Sequence, residues 1–303
     1  MNNPKRVVLI GDKGQVAMSL ARILPARGFD VTILARPEYD LLRTAELADA
    51  IVVARPAVVI NPAAYTAVDR AEDEPTAAFA INRDGAAAIS SAAARAGAAI
   101  IHFSTDYVFD GKKATPYIET DATGPQGVYG ASKLAGEAAV ALLNPRHVIL
   151  RTAWVCSADG ANFLKTMLRL AAERPELRVV DDQHGSPTFA ADIADASARI
   201  ADTIADKDAG ARQFGVFHLS SRGETSWCGF ARAIMAQSMK LGGPSVPVHA
   251  ITTAEFPTKA SRPAYSKLDT SKLARVYGIE LPEWNEAMHR CLAGMIEQAA
   301  TRQ

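Results

Sequence analysis

Two short stretches carry the residue types needed to reduce a carbonyl. Residues 104–111 read STDYVFDG and residues 129–133 read YGASK. Tyr129 and Lys133 lie one helical turn apart, so a helix over this segment puts phenol and ammonium on one face. The ammonium would favour the phenolate and lower the phenol pKa from its usual value of about 10. A donor tuned toward neutral pH is what general acid catalysis requires. Thr105 adds a hydroxyl able to polarise the same carbonyl oxygen. None of the three carries a hydride, so the chemistry calls for a nicotinamide cofactor. A Tyr and a Lys at this spacing are common by chance, and the surrounding elements decide what they mean.

The apolar run Ile100-Ile101-His102-Phe103 predicts a buried strand over 98–103 that delivers Thr105 at its C-terminal end. A loop containing Gly124 and Pro125 precedes Tyr129, whose helix is expected over 129–143. The same rhythm opens the chain: Arg6-Val7-Val8-Leu9-Ile10, a turn holding Gly11 and Gly14, then an amphipathic helix over 15–24 closed by Gly28. A strand over 31–35, a helix over 45–54 and a strand over 57–61 follow. An alanine-rich helix over 75–96, with Pro75 in its first turn, and a strand over 148–150 continue the alternation. Short apolar strands alternating with helices predict an α/β fold: a doubly wound parallel sheet, Rossmann-like, covered on both faces. Past about residue 155 the alternation weakens, with helices expected over 162–172, 191–205, 227–240 and from about 284. These lengths suggest a dinucleotide-binding domain over residues 1–160, to which elements near 190–220 return. Residues 161–303 then form mainly a smaller, interleaved C-terminal substrate lobe.

The turn Gly11-Asp12-Lys13-Gly14-Gln15-Val16-Ala17 sits where a pyrophosphate would meet a helix N-terminus, favoured by free amides and the helix dipole. Ala17 replaces a third glycine and still permits close helix–strand packing. After the second strand, the acid that would bind a ribose hydroxyl is missing and Ala35-Arg36 stands there. Arg36 can pair with a 2′-phosphate, which favours NADPH while leaving NADH open. Asp40 and Leu41 can supply a hydroxyl acceptor and an adenine contact. The loop after the third strand, with Ala63, Ala64, Tyr65 and Thr66, lies at the sheet edge where such folds bind ligands, and its small residues let a cofactor approach.

Thirty-three basic and thirty-three acidic residues cancel, which excludes an electrostatic footprint for nucleic acid or anionic membrane. No signal-peptide core precedes the first strand and no apolar run is long enough to span a bilayer. Cys156, Cys228 and Cys291 are odd in number and widely spaced, which argues for buried thiols in a reducing, cytoplasmic compartment and against a zinc site. His102 and His184 are expected to be structural.

The chain resembles the extended short-chain dehydrogenase/reductases, and within them the dTDP-4-dehydrorhamnose reductase family. The matching segments are GDKGQV at 11–16, NPAAYTAVDRAEDEP at 61–75, STDYVFDG at 104–111 and PYIETDATGPQGVYGASKLAGE at 116–137. They continue with RTAWV at 151–155, NFLKTMLRLA at 162–171, VVDDQHGSPT at 179–188 and RPAYSKLD at 262–269. The resemblance implies reduction of the C4 ketone of a dTDP-4-dehydro sugar by NADPH. It implies that Tyr129 is the proton donor, that Lys133 orients it and the nicotinamide ribose, and that Thr105 completes the triad. It implies substrate contacts at Thr105, Asp106, Tyr107 and Trp154, and cofactor contacts at Gly14, Gln15, Val16, Asp40, Leu41, Ala64, Tyr65 and Thr66. Arg262 could meet a nucleotide diphosphate or form a surface ion pair. Some members of the family dimerise through Mg2+ held by carboxylates of the C-terminal lobe. Asp192, Glu283 and Glu286 are candidates for that role, and none is singled out, so a homodimer and its metal stay open.

Two other functions are compatible with the fold. A nucleotide-sugar dehydratase or epimerase would keep its NAD, and dehydration needs a further acid where this chain has Tyr107. A noncatalytic NADP-binding regulatory subunit would not need Thr105, Tyr129 and Lys133 together.

Overall fold

The computed structural model describes residues 5–301, with side chains described through residue 296. The first half comprises β1 (Arg6–Ile10), α1 (Gln15–Ala26), β2 (Asp30–Leu34), α2 (Thr44–Ala54), β3 (Val58–Asn61), α3 (Val68–Ala71) and α4 (Pro75–Phe79). A π-helical segment (Ala80–Gly85) joins α4 to α5 (Ala86–Arg95), and β4 (Ala99–Thr105), α6 (Val128–Leu143) and β5 (His147–Thr152) complete it. Next come β6 (Val155–Cys156), α7 (Phe163–Glu173), β7 (Leu177–Val180), β8 (His184–Gly185), β9 (Thr188–Phe189), α8 (Ala190–Ile204) and β10 (Gly215–His218). The chain continues through β11 (Thr225–Ser226), α9 (Trp227–Lys240), β12 (Val248–Ile251), α10 (Ser271–Tyr277) and α11 (Trp284–Thr301).

Six strands form one sheet in the order β10-β5-β4-β3-β1-β2, every pair parallel. Both faces are covered, so β3 and β4 are buried at every position, as their continuous apolar sequences demand. Leu9, Ile60 and Ile100 are fully buried; burial of each such side chain is worth about 1.5–3 kcal/mol. The chain leaves β1 toward β2 and then crosses back to β3. That reversal opens a crevice beyond the C-terminal ends of β1 and β3, where ligands of this architecture bind. Strand β10 extends the sheet beyond β5, and α8 packs along α1. The remaining C-terminal elements gather around a second core that includes Leu164, Phe230, Ile234 and Met288.

Two elements differ from expectation. The strand expected over 98–103 runs on to Thr105 and pairs with β5 from Ile100 to Thr105, which fixes the hydroxyl at a rigid strand end. The helix expected over 75–96 is interrupted by the π segment. There the buried Asn82 accepts from the Tyr65 amide (2.8 Å) and donates to the Tyr65 carbonyl (3.1 Å) and to the Ser132 hydroxyl (2.9 Å). The extra residue in the turn lets Asn82 lock the loop after β3 to α6.

Candidate active site

The glycine turn is built as its sequence requires. Gly11 has φ +88°, a conformation that disfavours any side chain, and a Cβ there would approach Ala63 to 3.5 Å. No side chain caps α1, so its first amides face the crevice and can receive an anion. Gly11, Gly14, Arg36, Asp40, Leu41, Ala63, Ala64 and Thr66 all line a trough of about 420 Å³. It continues into a cavity of about 550 Å³ lined by Gln15, Val16, Thr105, Asp106, Tyr107, Tyr129, Lys133 and Trp154. The volumes suit a dinucleotide end to end with part of a second ligand. Two sequence-selected residues deviate. The Tyr65 side chain lines neither space and bonds Glu74 (2.7 Å), leaving only its backbone in the loop. The Gln15 amide lines the cavity but is engaged across it, accepting from Ser157 (3.0 Å) and Asn162 (2.9 Å), the N-cap of α7.

The reactive wall is the seam between β4 and α6. Val128, at the start of α6, donates its amide to Glu72 Oε1 (2.8 Å), a carboxylate at the positive helix end. A Cβ on Gly130 would run into the Tyr107 carbonyl, so α6 can seat flush against the turn after β4 only because glycine stands there. Tyr129 is thereby set edge-on to Tyr107, with ring centroids 5.6 Å apart. Thr105 donates to Asp106 Oδ1 (3.0 Å) and accepts from the Tyr107 amide (3.2 Å). Lys133 is buried and donates to the Phe103 carbonyl (2.6 Å).

Electrostatics correct one expectation. The Tyr129 phenol is raised, not lowered: burial is the largest cause, Asp106 and Tyr107 add to it, and the Thr105 hydroxyl opposes it. Burial also pulls Lys133 down to about 8, opposed by Glu137. The ligand-free phenol is therefore a firmly protonated acid. Asp106 is pushed up to about 6 by burial, opposed by the hydrogen bond from Thr105. Ser104 Oγ, Asp106 Oδ2 and Thr152 Oγ1, all from cavity-lining residues, are buried and lack a hydrogen-bond partner among the described residues. Buried polar atoms of this kind need one. Together with the glycine turn and uncapped helix, they fit a dinucleotide and a polar substrate.

Beyond the cavity, Trp154 adopts φ +50°, uncommon for a bulky residue, and stacks on Trp227 at 3.6 Å and 8°. A further space of about 470 Å³ between the two cores is lined by Tyr107, Arg174, Arg178, Trp227, Phe256 and Arg262, among others. Arg262 donates to Tyr107 (3.0 Å) and pairs with Asp69 (2.5 Å). The sequence offered no sign of Glu72 or Arg174 as site-forming residues; for Asn82 the one available signal was a lone Asn inside an alanine-rich helix. The candidate carboxylates for Mg2+ do not converge. Asp192 is held by Arg290 (2.7 Å) and Glu283 lies by Arg222 (3.5 Å). Among the described residues no group of three or more His, Cys, Asp or Glu is placed to hold a metal ion.

A glycine turn at the sheet's reversal point, facing a buried Thr and Lys and a half-buried Tyr, defines the site of an extended short-chain dehydrogenase/reductase. The family profile described as RmlD substrate binding domain matches residues 5–296. The dTDP-4-dehydrorhamnose reductase of Sinorhizobium fredii is 48% identical, over 96% of this chain and 98% of the relative. A solved reductase of the same name from Clostridium acetobutylicum superposes with a TM-score of 0.89 at 35% identity, covering 95% of this chain and 98% of the other. Another from Bacillus anthracis, solved with NADP, gives 0.89 at 34% identity, covering 96% and 100%. The chain belongs to the dTDP-4-dehydrorhamnose reductase family.

Proposed function

We propose that this protein reduces the C4 ketone of dTDP-4-dehydro-β-L-rhamnose to give dTDP-β-L-rhamnose, the last step of dTDP-L-rhamnose biosynthesis, with NADPH as the favoured reductant and NADH as an alternative. The observation that carries the reading is the convergence of Thr105, Tyr129 and Lys133 on one cavity that continues from the glycine turn. The reduced nicotinamide, when bound, supplies hydride to C4. Tyr129 gives its proton to the C4 oxygen, and its raised pKa keeps that proton in place until negative charge develops there. Thr105 turns its hydroxyl from Asp106 to the same oxygen and polarises it. Lys133, while charged, favours the phenolate left behind and is placed to hold the nicotinamide ribose. Arg36 receives the 2′-phosphate.

Asp106 Oδ2 accepts from a sugar hydroxyl, and Trp154 and Tyr107 form the wall against which the sugar lies. The space lined by Arg174, Arg178 and Arg262 suits the diphosphate and pyrimidine of the substrate. Three free cysteines accord with a cytoplasmic enzyme. Among the described residues no helix is long and apolar enough to cross a membrane. Replacing Tyr129 by Phe removes the proton and keeps the ring. Turnover in Tyr129→Phe should fall about 10²–10⁴-fold, with NADPH affinity by fluorescence titration little changed. Undiminished turnover would overturn the assignment.

A further inference from the structure

Lys133 has three hydrogens to donate and no lone pair when charged. One goes to the Phe103 carbonyl at 2.6 Å. On another side of the ammonium lies the His102 ring, with Nε2 at 3.5 Å from Nζ, the outer limit of a hydrogen bond. His102 is buried and its partners fix its tautomer. The Asn61 side-chain oxygen accepts from the Ala63 amide (3.2 Å), which turns the Asn61 nitrogen toward His102 Nδ1 (3.2 Å). An amide nitrogen can only donate, so Nδ1 is the acceptor and the single proton of a neutral ring sits on Nε2. Nε2 then presents a hydrogen to Lys133, a donor facing a donor. The long 3.5 Å approach beside the short 2.6 Å bond is what such a pair gives.

We propose that His102, locked by Asn61 with its proton on Nε2, is a positioning residue for Lys133: with one hydrogen held by the Phe103 carbonyl, it denies the ammonium a second acceptor within the β4 wall and so leaves two of its three hydrogens for the cleft. The proposal rests on the reading of Lys133 as the group that serves the phenol and the nicotinamide ribose, two acceptors that need two hydrogens. It also ties the charge on Lys133 to the loop after β3, because Ala63, whose amide orients Asn61, lines the cofactor trough. The buried environment is otherwise simple. His102 is held neutral by burial and by Lys133 itself. Facing Lys133 from α6 are Tyr129 and Glu137, and Glu137 is occupied by Arg151 of β5 through bonds of 2.9 and 2.6 Å. Asp106, which directly follows β4, lines the same cavity. A neutral ring that turned an acceptor to Lys133 would hold its charge more firmly and capture one of the hydrogens meant for the cleft.

The substitution Asn61→Asp retains an oxygen for the Ala63 amide and replaces the donor facing Nδ1 by an acceptor. The ring proton should then move to Nδ1. Nitrogen-15 NMR of histidine-labelled protein reports which ring nitrogen is protonated, with the His102 signal assigned from His102→Phe. The expected result is Nε2–H in the wild type and Nδ1–H in Asn61→Asp. Carbon-13 NMR of labelled lysine, assigned with Lys133→Met, should show Lys133 titrating roughly one unit higher in Asn61→Asp. That rise should largely vanish in the Asn61→Asp, His102→Phe double variant, since it travels through the ring; a rise that persists there reflects only the added charge. A wild-type ring protonated on Nδ1, or the same Lys133 shift with and without His102, overturns the proposal. These spectra need no turnover. If Tyr129→Phe kept full activity while the spectra came out as expected, the catalytic reading would fail and the His102–Lys133 coupling would stand.

Discussion

In the proposed mechanism Lys133 carries the pH dependence of the site. There it serves the phenol only while charged, and burial brings its loss of charge to about 8. A lowered ammonium pKa means the cation is lost as pH rises, so kcat/KM should fall through an alkaline limb centred near pH 8, read from NADPH oxidation across pH 6–10. A limb centred on an unperturbed lysine, at about 10.4, would contradict the burial. Arg36 makes a second test. It lines the cofactor trough in place of an acid, so Arg36→Ala should raise KM for NADPH about tenfold or more while KM for NADH changes little. Both residues were legible in the sequence, Lys133 from its spacing to Tyr129 and Arg36 from its place after the second strand. The direction of the Tyr129 shift was not. Spacing announces a neighbouring charge, whereas the burial that dominates the shift depends on how α6 seats against β4.

Helix α6 seats closely because two of its positions lack a Cβ. Gly130 meets the Tyr107 carbonyl and Gly136 meets the Asn82 carbonyl, both backbone atoms that cannot rotate aside. Gly130→Ala should push α6 outward, destabilise the fold by about 1–3 kcal/mol and lower kcat more than it changes NADPH affinity. Chemical denaturation and steady-state kinetics measure the two effects; an alanine accepted without loss of either would mean that α6 tolerates the shift. Alternation of apolar strands with helices made the sheet legible from sequence, and the end of β4 fell within two residues of expectation. The π segment was not legible, because its cause is a tertiary demand. Asn82 has to reach both Tyr65 and Ser132, and alanine-rich neighbours on either side read as an unbroken helix. Glu72 was likewise hidden: its partner Val128 lies 56 residues away, beyond the reach of any local pattern.

At the scale of the whole molecule, the site lies where two cores meet. The sheet supplies the glycine turn, Thr105 and, through α6, the Tyr–Lys pair. The second core supplies Trp227 and the arginine-lined space, with Trp154 stacked across the junction. Asp69 and Arg262 bind the two sides together beside Tyr107. Here the sequence offered the motifs without their partnership: it pointed to Trp154 and Arg262 singly, and only packing brings them to one opening. That Tyr107 follows Asp106 also bears on the reaction, because its hydroxyl accepts from Arg262 at the place where dehydration would need a carboxylic acid. A reductase consumes its reductant, whereas an epimerase or dehydratase of this fold returns it. The most direct test is therefore the stoichiometry of NADPH oxidation against product formed, with dTDP-4-dehydro-L-rhamnose generated in situ by an epimerase. One NADPH oxidised for each dTDP-L-rhamnose formed is the predicted result. Sugar conversion without net NADPH consumption would contradict it.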